Sequence, residues 1–257
     1  MMVLSGNFKG LQREKHLKVS LALLPTELAT DALPNSQVAV FDVLRATSTM
    51  ATAIAAGARQ IHFFASSDEA LAARQRYPDA LLCGEKGCLK VPGFDLGNSP
   101  LEFNSQRIAG RRILMSTTNG TRAIHAARTA RRLFAGSLLN ARATAAALGA
   151  NDEDIILLCA GTDGVPALED MIGAGAVISE LTGMAKAKNL LLSDLAWAAC
   201  YAFGSARADL QSALFEARGA QNLVAAGLSA DIQHCCRLNA LPTAVPINGA
   251  ALATIAA

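Results

Sequence analysis

The sequence predicts an α/β fold built on a mostly parallel sheet. Short β-rich runs alternate with longer alanine-rich segments along most of the 257 residues, and this order is typical of strands joined by helical crossovers. Hydrophobic residues make up 52% of the chain and charged residues only 17%, so the sheet can be covered on both of its faces. The same composition argues against a disordered chain.

Eight runs are predicted as strands because they are apolar or β-branched and end in turn residues. In chain order they are Val19–Leu24, Val38–Val43, Ile61–Ala65, Leu81–Cys83, Ile113–Ser116, Leu133–Ala135, Ile155–Cys159 and a last short one near Thr243–Ile247. The segment 1–17 is polar and basic, and we expect it to be a flexible leader. Since no clear linker interrupts the remainder, residues 18–257 are expected to form one compact α/β unit.

The segments between these strands are predicted as helices. They are Thr47–Ala56, Asp68–Tyr77, Leu101–Ala109, Thr121–Ala130, Ala141–Leu148, Ala167–Leu181 and, after Gly183, a mostly helical stretch to about Leu238. Ser66 with Glu69 and Ser99 with Glu102 fit the capping box, and Pro100 stands at the favoured first helical position.

The composition argues against nucleic acid and membranes as partners. The net charge is +2 and aromatic residues make up 5% of the chain, so there is neither a strong basic field nor a set of stacking platforms. No apolar run approaches the ~18 residues needed to span a bilayer. The six cysteines include no C-x-x-C pair, and we interpret them as reduced thiols of a cytoplasmic protein.

The segment Phe41–Thr49 is the strongest candidate for chemistry. Asp42 follows an apolar run, Arg45 comes three residues later, and Thr47 and Ser48 open a helix. A helix start offers backbone N–H groups to an anion, and Arg45 adds a forked donor that matches phosphate oxygens. Asp42 is an acceptor that can hold a metal or orient a water. The alternative is an ordinary helix start with a capping hydroxyl and a surface arginine.

Two further segments supply acids and amides after the fourth predicted strand. Glu85 is a hard oxygen ligand of the kind that Mg²⁺ prefers, and Lys86 can meet a second anionic group. In the turn-rich loop that follows, Asp95 is a candidate metal ligand, and Asn98 and Ser99 can bind a ligand. The alternatives are an exposed charged turn for the first pair and a simple N-cap for the serine.

A third candidate turn follows the fifth predicted strand. It places hydroxyls and a glycine directly before a helix, at Thr117, Thr118, Asn119 and Gly120. Such a turn can form an anion-binding concavity of backbone amides, although Asn-Gly turns are often only structural. Because ligands of open α/β sheets bind beyond the carboxyl ends of the strands, we expect these turns to meet at one sheet edge.

Several common catalytic motifs are absent. The chain lacks a P-loop, a G-x-G-x-x-G after a strand, a G-x-S-x-G elbow and an H-E-x-x-H helix, so these nucleotide, hydrolase and metalloprotease sites are not predicted. The remaining candidates are carboxylates, hydroxyls and basic groups around an anion, with a hard metal supplied from solution. Phosphate-ester chemistry suits this set, because positioning and charge neutralisation dominate its catalysis.

With these motifs, the chain closely resembles the 2-phosphosulfolactate phosphatase family. The matching segments are FDVLRATST (41–49), CGEKG (83–87), GFDLGNSP (93–100), STTNGT (116–121), GSLLN (136–140), LCAG (158–161) and LED (168–170). They occur in the family's order over roughly Val19 to Leu181. GFDLGNSP and STTNGT in one chain are far more specific than a single glycine motif.

The resemblance implies a Mg²⁺-dependent enzyme that hydrolyses 2-phospho-3-sulfolactate to 3-sulfolactate and phosphate, a step of coenzyme M biosynthesis. It also implies three-layer α/β/α packing, built as two related halves whose boundary would lie near 130–150. A substrate with phosphate, carboxylate and sulfonate groups needs several cationic groups, and Arg45, Lys86 and Arg122 stand at motif positions that can supply them. Whether the chain forms a homodimer is left open.

The residues therefore receive expected roles. Asp42, Glu85 and Asp95 hold or orient the metal, and Arg45 grips phosphate together with the hydroxyl and amide groups named above. A water polarised by the metal is the expected nucleophile, while a phosphoenzyme on Asp42 stays open. Two other functions also stay open: a phosphatase for another small phosphorylated acid, and a non-catalytic protein that binds a small anion.

Overall fold

The computed structural model describes residues 16–184, 189–248 and 254–256. Its strands are β1 (Leu17–Ala22), β2 (Ser36–Phe41), β3 (Gln60–Phe63), β4 (Leu81–Lys86), β5 (Leu89–Lys90), β6 (Arg112–Ser116), β7 (Arg132–Gly136), β8 (Asp154–Cys159), β9 (Leu190–Leu192), β10 (Val245–Ile247) and β11 (Thr254–Ala256). Of the predicted leader, residues 1–15 lie outside the described residues, and Leu17 already belongs to β1.

The helices follow the strands in most of the chain. They are α1 (Ala46–Ala55), α2 (Ser67–Ala73), α3 (Ser105–Ile108), α4 (Gly120–Ala126), α5 (Ala141–Gly149), α6 (Leu168–Thr182), α7 (Asp194–Ala206), α8 (Leu210–Phe215), α9 (Arg218–Ala225) and α10 (Ser229–Cys235). Short 3-10 turns lie at Pro25–Glu27, Leu33–Asn35 and Pro100–Glu102. None of the helices in the described part of the chain has both the length and the apolar character needed to span a membrane.

The strands form two mostly parallel sheets. One has six strands in the order β10-β7-β2-β8-β1-β9, and the other has five in the order β11-β3-β6-β4-β5. The antiparallel pairs lie at the sheet edges, where β10 joins β7, β11 joins β3 and β5 joins β4. The predicted α/β class with mostly parallel strands is confirmed, but the strands are divided between two sheets.

The chain passes from one sheet to the other and back. It leaves the six-stranded sheet after β2, builds β3 to β6 of the other sheet, and returns at β7. Strand β7 then pairs in parallel with β2, from Gln37 opposite Arg132 to Phe41 opposite Gly136. The expected single compact unit, with its alternative of two halves, stays a prediction.

The central strands are buried on both faces, as their apolar sequences require. Every residue of β2 is buried. On one side Val38 belongs to a hydrophobic cluster that also includes Met50 of α1 and Ile113 of β6, so this face of β2 shares its core with the five-stranded sheet. On the other side Phe41 packs in a cluster with Ile178 of α6. This packing fixes the carboxyl end of β2 at the centre of the molecule.

The helix predicted over Leu101–Ala109 is wrong as a single element. A 3-10 turn at its start is separated from the four-residue helix α3 by Phe103 and Asn104. Asn104 caps α3 by accepting a hydrogen bond from the Arg107 amide at 3.1 Å. An N-cap residue takes extended backbone, so this cap breaks the longer helix.

The capping box predicted at Ser66 and Glu69 forms only in part, and the one predicted at Ser99 and Glu102 is wrong. Ser66 accepts a hydrogen bond from the Glu69 amide at 3.2 Å and caps α2. Ser99 instead donates its hydroxyl to Asp231 at 2.6 Å. Glu102 accepts from a loop amide five residues upstream. A partner distant in sequence has therefore displaced the local cap.

Candidate active site

A cavity of about 480 Å³ opens where strand ends from both sheets meet. The loop after β2 contributes Asp42 and Arg45, and the loop after β8 contributes Asp163. From the five-stranded sheet, β4 contributes Glu85 and the loop after β6 contributes Asn119. The predicted turns that carry Asp42, Glu85 and Asn119 do lie together, although they come from two sheets, and the turn after β8 joins them.

The C-terminal helices supply another wall of this cavity. Gly219 and Asn222 of α9, with Ala225 and Ala226 at its end, are among the lining residues. Three of these four residues are small, so the wall leaves room for a ligand. The helical tail, whose sequence is the least distinctive part of the chain, therefore helps to form the site.

Asp42 is buried, with 8% of its surface exposed. Its Oδ1 accepts a hydrogen bond from the Ala46 amide at 3.1 Å. Burial is the main reason that the pKa of Asp42 is raised to about 6; the Ala46 and Gly120 amides oppose the shift, and the Glu85 carboxylate adds to it. A buried carboxylate that ionises with difficulty favours a cation beside it.

Glu85 joins the two loops of the five-stranded sheet. Its Oε1 accepts a hydrogen bond from the Thr118 amide at 2.8 Å, and its Oε2 accepts one from the Cys88 amide at 3.1 Å. The first contact ties the end of β4 to the turn after β6. The carboxylate and that turn are thus held as one unit at the cavity.

Arg45 is buried, with 3% exposed, so the alternative of a surface arginine is wrong. One terminal nitrogen of its guanidinium donates to Oδ2 of Asp231 at 2.5 Å. The other donates to the carbonyl of Cys88 at 2.7 Å. A guanidinium has five N–H donors, and Arg45 lines the cavity, so donors remain for a ligand.

The hydroxyls at the start of α1 turn back towards β2. The Thr47 hydroxyl accepts from the Asp42 amide at 3.1 Å and donates to the Asp42 carbonyl at 3.0 Å. The Ser48 hydroxyl donates to the Val43 carbonyl at 2.8 Å. Both side chains are fully buried and lie outside the cavity lining. In this arrangement they brace the loop that carries Asp42 and Arg45.

Only the middle of the turn after β6 faces the cavity. Thr118 and Asn119 are lining residues, while Gly120 begins α4. The hydroxyls of Thr117 and Thr121 lie 3.0 Å apart, and each accepts a hydrogen bond from the amide of the other at 3.2 Å. This reciprocal pair locks the turn in shape.

Of the remaining basic and amide candidates, only the amide residue lines the cavity. Asn98 lines the cavity, and its buried Oδ1 has no hydrogen-bond partner in the part of the chain that the structure describes. Lys86 and Arg122 are exposed and lie outside the lining. The structure therefore brings Asn98 to the site and leaves the two cations at its periphery.

Asp95 is engaged away from the cavity. Its Oδ2 accepts a hydrogen bond from Arg74 at 3.1 Å and another from the Leu82 amide at 2.8 Å. These contacts hold the loop after β5 against α2 and β4. The structure does not bring this carboxylate to Asp42 and Glu85.

Glu169 and Asp170 lie in the first turn of α6, and both are buried. Asp170 accepts hydrogen bonds from the Val43 amide at 2.8 Å and the Gly161 amide at 3.1 Å, joining the loops after β2 and β8. Burial raises the pKa of Glu169 to about 7, and nearby Asp42 contributes. Within the described ranges, the Oε2 atom of Glu169 has no hydrogen-bond partner. The LED segment carried the only sequence signal for this pair.

The donor set fits a divalent cation. Asp42 and Glu85 line the cavity, whereas Arg45, the one cationic side chain among the described lining residues, is already held in an ion pair. Within the described ranges, no three His, Cys, Asp or Glu side chains can hold a metal ion by themselves. Mg²⁺ commonly uses one or two carboxylates and completes its shell with waters and substrate phosphate. Asp42 and Glu85, with the oxygen of Asn98 that has no hydrogen-bond partner among the described residues, match that pattern, and Asp163 is a third acid in the lining.

Residues 22–249 match the model of the family described as 2-phosphosulpholactate phosphatase. The chain belongs to this family. The match continues through the C-terminal helices, well beyond the motif region that ends near Leu181. The predicted resemblance, and with it the assignment to a family of phosphatases, is confirmed.

Similar proteins from three bacteria carry the name probable 2-phosphosulfolactate phosphatase. The protein of Carboxydothermus hydrogenoformans is 42% identical over 226 residues, which cover 88% of this chain and 91% of the relative. That of Deinococcus radiodurans is 40% identical, covering 85% and 93%. That of Gloeobacter violaceus is 40% identical, covering 91% and 97%. The similarity therefore spans nearly the whole of each protein.

Proposed function

We propose that this chain is a Mg²⁺-dependent phosphatase that hydrolyses 2-phospho-3-sulfolactate to 3-sulfolactate and phosphate. The observation that carries the proposal is the cavity in which Asp42, Arg45 and Glu85 meet at strand ends from two sheets. The family of the chain and the names of its relatives support the same reaction.

Arg45 binds the phosphoryl oxygens in this proposal. Two of its donors are fixed by Asp231 and the Cys88 carbonyl, so the remaining N–H groups are preorganised. Preorganised donors stabilise the charge that develops in a phosphoryl-transfer transition state. Thr118 and Asn119 complete the phosphate side of the cavity, and the buried hydroxyl contacts described above keep the loops in place.

Asp42, Glu85 and the carbonyl oxygen of Asn98 are the proposed metal ligands. When bound, Mg²⁺ supplies neutralisation of phosphoryl charge and activation of the attacking water. Asp95 is left out of this set, because its carboxylate is occupied by Arg74. Water adds to phosphorus through its oxygen and gives up one proton, the ester P–O bond breaks, and the released C2 oxygen takes up that proton through the solvent as 3-sulfolactate departs.

The wall formed by α9 receives the acid end of the substrate. Ala225 and Ala226 leave space for a carboxylate and a sulfonate, and Asn222 is a lining residue whose side-chain amide can donate hydrogen bonds. Lys86 and Arg122 lie outside the lining and would act through their charge, which raises the local concentration of an anionic substrate.

We also propose the wider setting of the reaction. The resemblance described in the sequence analysis implies a place in coenzyme M biosynthesis, and the unpaired cysteines in the described residues are compatible with the reducing cytoplasm. A homodimer is supported by the exposed aromatic pair Trp197 and Tyr201, whose rings stack with centroids 6.0 Å apart. Light scattering on the purified protein, coupled to size-exclusion chromatography, would measure the oligomeric state.

Phosphate release from 2-phospho-3-sulfolactate is the deciding experiment. The purified chain is assayed as isolated, after EDTA treatment, and after Mg²⁺ is added back. We expect release that EDTA abolishes and Mg²⁺ restores. Unchanged release in EDTA would remove the metal from the proposal.

A panel of phosphate esters tests substrate choice in the same assay. 2-Phospholactate, which lacks the sulfonate, is the matched comparison. Faster turnover of another ester than of 2-phospho-3-sulfolactate would favour a phosphatase for a different small acid. Saturable phosphate binding without release from any ester, at every Mg²⁺ concentration, would favour an anion-binding protein.

A further inference from the structure

The buried ion pair between Arg45 and Asp231 links the site to the C-terminal tail. The two side chains keep 3% and 2% of their surface exposed, and the charged atoms lie 2.5 Å apart. Arg45 belongs to the loop after β2, whereas Asp231 lies 186 residues later in α10. A contact between such distant segments is made by the fold and not by local sequence.

Both oxygens of the Asp231 carboxylate have partners. Oδ2 accepts from Arg45, and Oδ1 accepts from the Ser99 hydroxyl at 2.6 Å. Ser99 comes from a loop of the five-stranded half of the structure, so Asp231 is held from two directions. A carboxylate fixed in this way can set the orientation of the guanidinium that it binds.

The pair also changes what Arg45 offers to an anion. Asp231 cancels the net charge of the guanidinium, while the N–H groups not directed at Asp231 or the Cys88 carbonyl stay available at the cavity. Arg45 thus acts through directed hydrogen bonds more than through net charge. Directed donors favour the transition state, whereas net charge binds substrate and product phosphate alike.

We propose that Asp231 is a positioning residue of the active site: it orients Arg45 for transition-state contact and cancels the charge that would otherwise hold product phosphate. This inference rests on the proposed function and deepens it. It assigns to α10 a direct part in turnover.

The inference predicts opposite effects on kcat and on phosphate binding. In Asp231→Asn, which keeps the shape and one acceptor oxygen, kcat should fall about 10-fold or more, since small misplacement of a catalytic group can cost about 100-fold. Inorganic phosphate should inhibit more strongly, because Arg45 regains its net charge. General damage to the site would weaken turnover and phosphate binding together.

A double-mutant cycle tests whether Asp231 acts through Arg45. The cycle compares Arg45→Ala, Asp231→Asn and the double variant by kcat and by the inhibition constant of phosphate. We expect Asp231→Asn to have almost no further effect on kcat once Arg45 is alanine. Equal losses in both backgrounds would overturn the inference.

Asp209→Ala is the matched control for damage to the tail. Asp209 is an exposed N-cap of α8 that accepts from the Ser212 amide at 3.0 Å, and no bond of its side chain reaches the cavity residues named above. Its removal should lower the melting temperature and leave kcat unchanged. If Asp231→Asn behaves like Asp209→Ala in both measurements, Asp231 is only structural and the inference fails.

Calorimetry with inorganic phosphate separates this inference from the proposed function. If the wild-type protein hydrolyses no ester, the proposed function fails. Phosphate should then still bind more tightly to Asp231→Asn than to the wild-type protein if the charge argument holds. Active wild-type enzyme with weaker phosphate binding in Asp231→Asn would overturn the inference alone.

Discussion

Gly120 leaves no room for a side chain beside the carboxylate of Asp42. A Cβ atom on Gly120 would lie 2.8 Å from Oδ2 of Asp42 and 2.6 Å from the Cβ of Ala46. The Gly120 amide also acts against the rise in the pKa of the Asp42 carboxyl. The start of α4, which the sequence predicted as part of an anion-binding turn, is therefore occupied on this side by the Asp42 carboxylate.

Gly120→Ala should lower both stability and activity. Contacts under 3.0 Å force the Asp42 carboxylate or the packing of α1 on α4 to shift, and overpacking of this kind costs about 1–3 kcal/mol. We expect a lower free energy of unfolding in denaturant titrations. We also expect kcat to fall by about 10-fold, because the displaced acid is a proposed metal ligand.

Gly204→Ala is the matched control for this substitution. Gly204 also lies in a helix, but nothing is within 4 Å of its Cβ position. Alanine there should raise the free energy of unfolding by about 0.5–1 kcal/mol and leave the kinetics unchanged. Wild-type kinetics in Gly120→Ala would show that the close contact with Asp42 has no role.

Much of the fold could be predicted because the inner strands carry their signal locally. All eight predicted strands are present, since runs such as Val38–Phe41 are continuously apolar and lead into turns. The short edge strands β5, β9 and β11 were missed, because two or three residues give no period. The division into two sheets could not be seen, because parallel pairing joins distant segments such as Gln37 and Arg132.

The candidate site was predictable only where it lies next to a strand end. Asp42, Arg45, Glu85 and Asn119 follow or end strands and do line one cavity. The partner of Arg45 was not predicted, because Asp231 lies on a helix whose sequence resembles any amphipathic segment. Side-chain direction was equally hidden, so hydroxyls expected to face a ligand were found bonded to the backbone.

Because of His62, we expect the free energy of unfolding to decrease as the pH falls below neutrality. His62 lies in β3, is 6% exposed and is stacked on Tyr77 with ring centroids 5.3 Å apart. Burial, with help from the charge of Arg112, lowers its pKa to about 4. Between pH 6.5 and 4, His62 binds a proton in the unfolded chain but not in the folded protein. The folded state therefore loses stability as the pH falls.

His62→Phe tests this pH dependence while keeping the ring stack. The contribution of His62 is complete above its unfolded pKa and is lost as pH falls towards 4, by an amount on the order of 2 kcal/mol. The variant should therefore lose less stability than the wild-type protein between pH 7 and pH 4.5, as measured by urea titrations. Parallel stability curves for the two proteins would contradict the assignment.

Thr47→Val should destabilise the loop that carries the site. The substitution keeps the shape but leaves the buried Asp42 amide without its hydroxyl acceptor, and such a loss costs about 1–3 kcal/mol. Thr47→Ser retains the hydroxyl and should lose less. Equal free energies of unfolding for the valine and serine variants would show that the two hydrogen bonds do not stabilise the loop.

Arg45→Ala should reduce kcat/KM by roughly 30- to 1,000-fold, which corresponds to about 2–4 kcal/mol of transition-state stabilisation for one preorganised donor. Arg45→Lys keeps the charge but cannot form the forked contact, so we expect an intermediate loss that falls mainly on kcat. Arg76→Ala is the control, because Arg76 is exposed and lines a separate cavity with Arg111. Circular dichroism and thermal unfolding confirm that each variant is folded before its kinetics are compared. Near-normal turnover by Arg45→Ala, with Arg76→Ala also unchanged, would remove Arg45 from the reaction and require another cation to meet the phosphate.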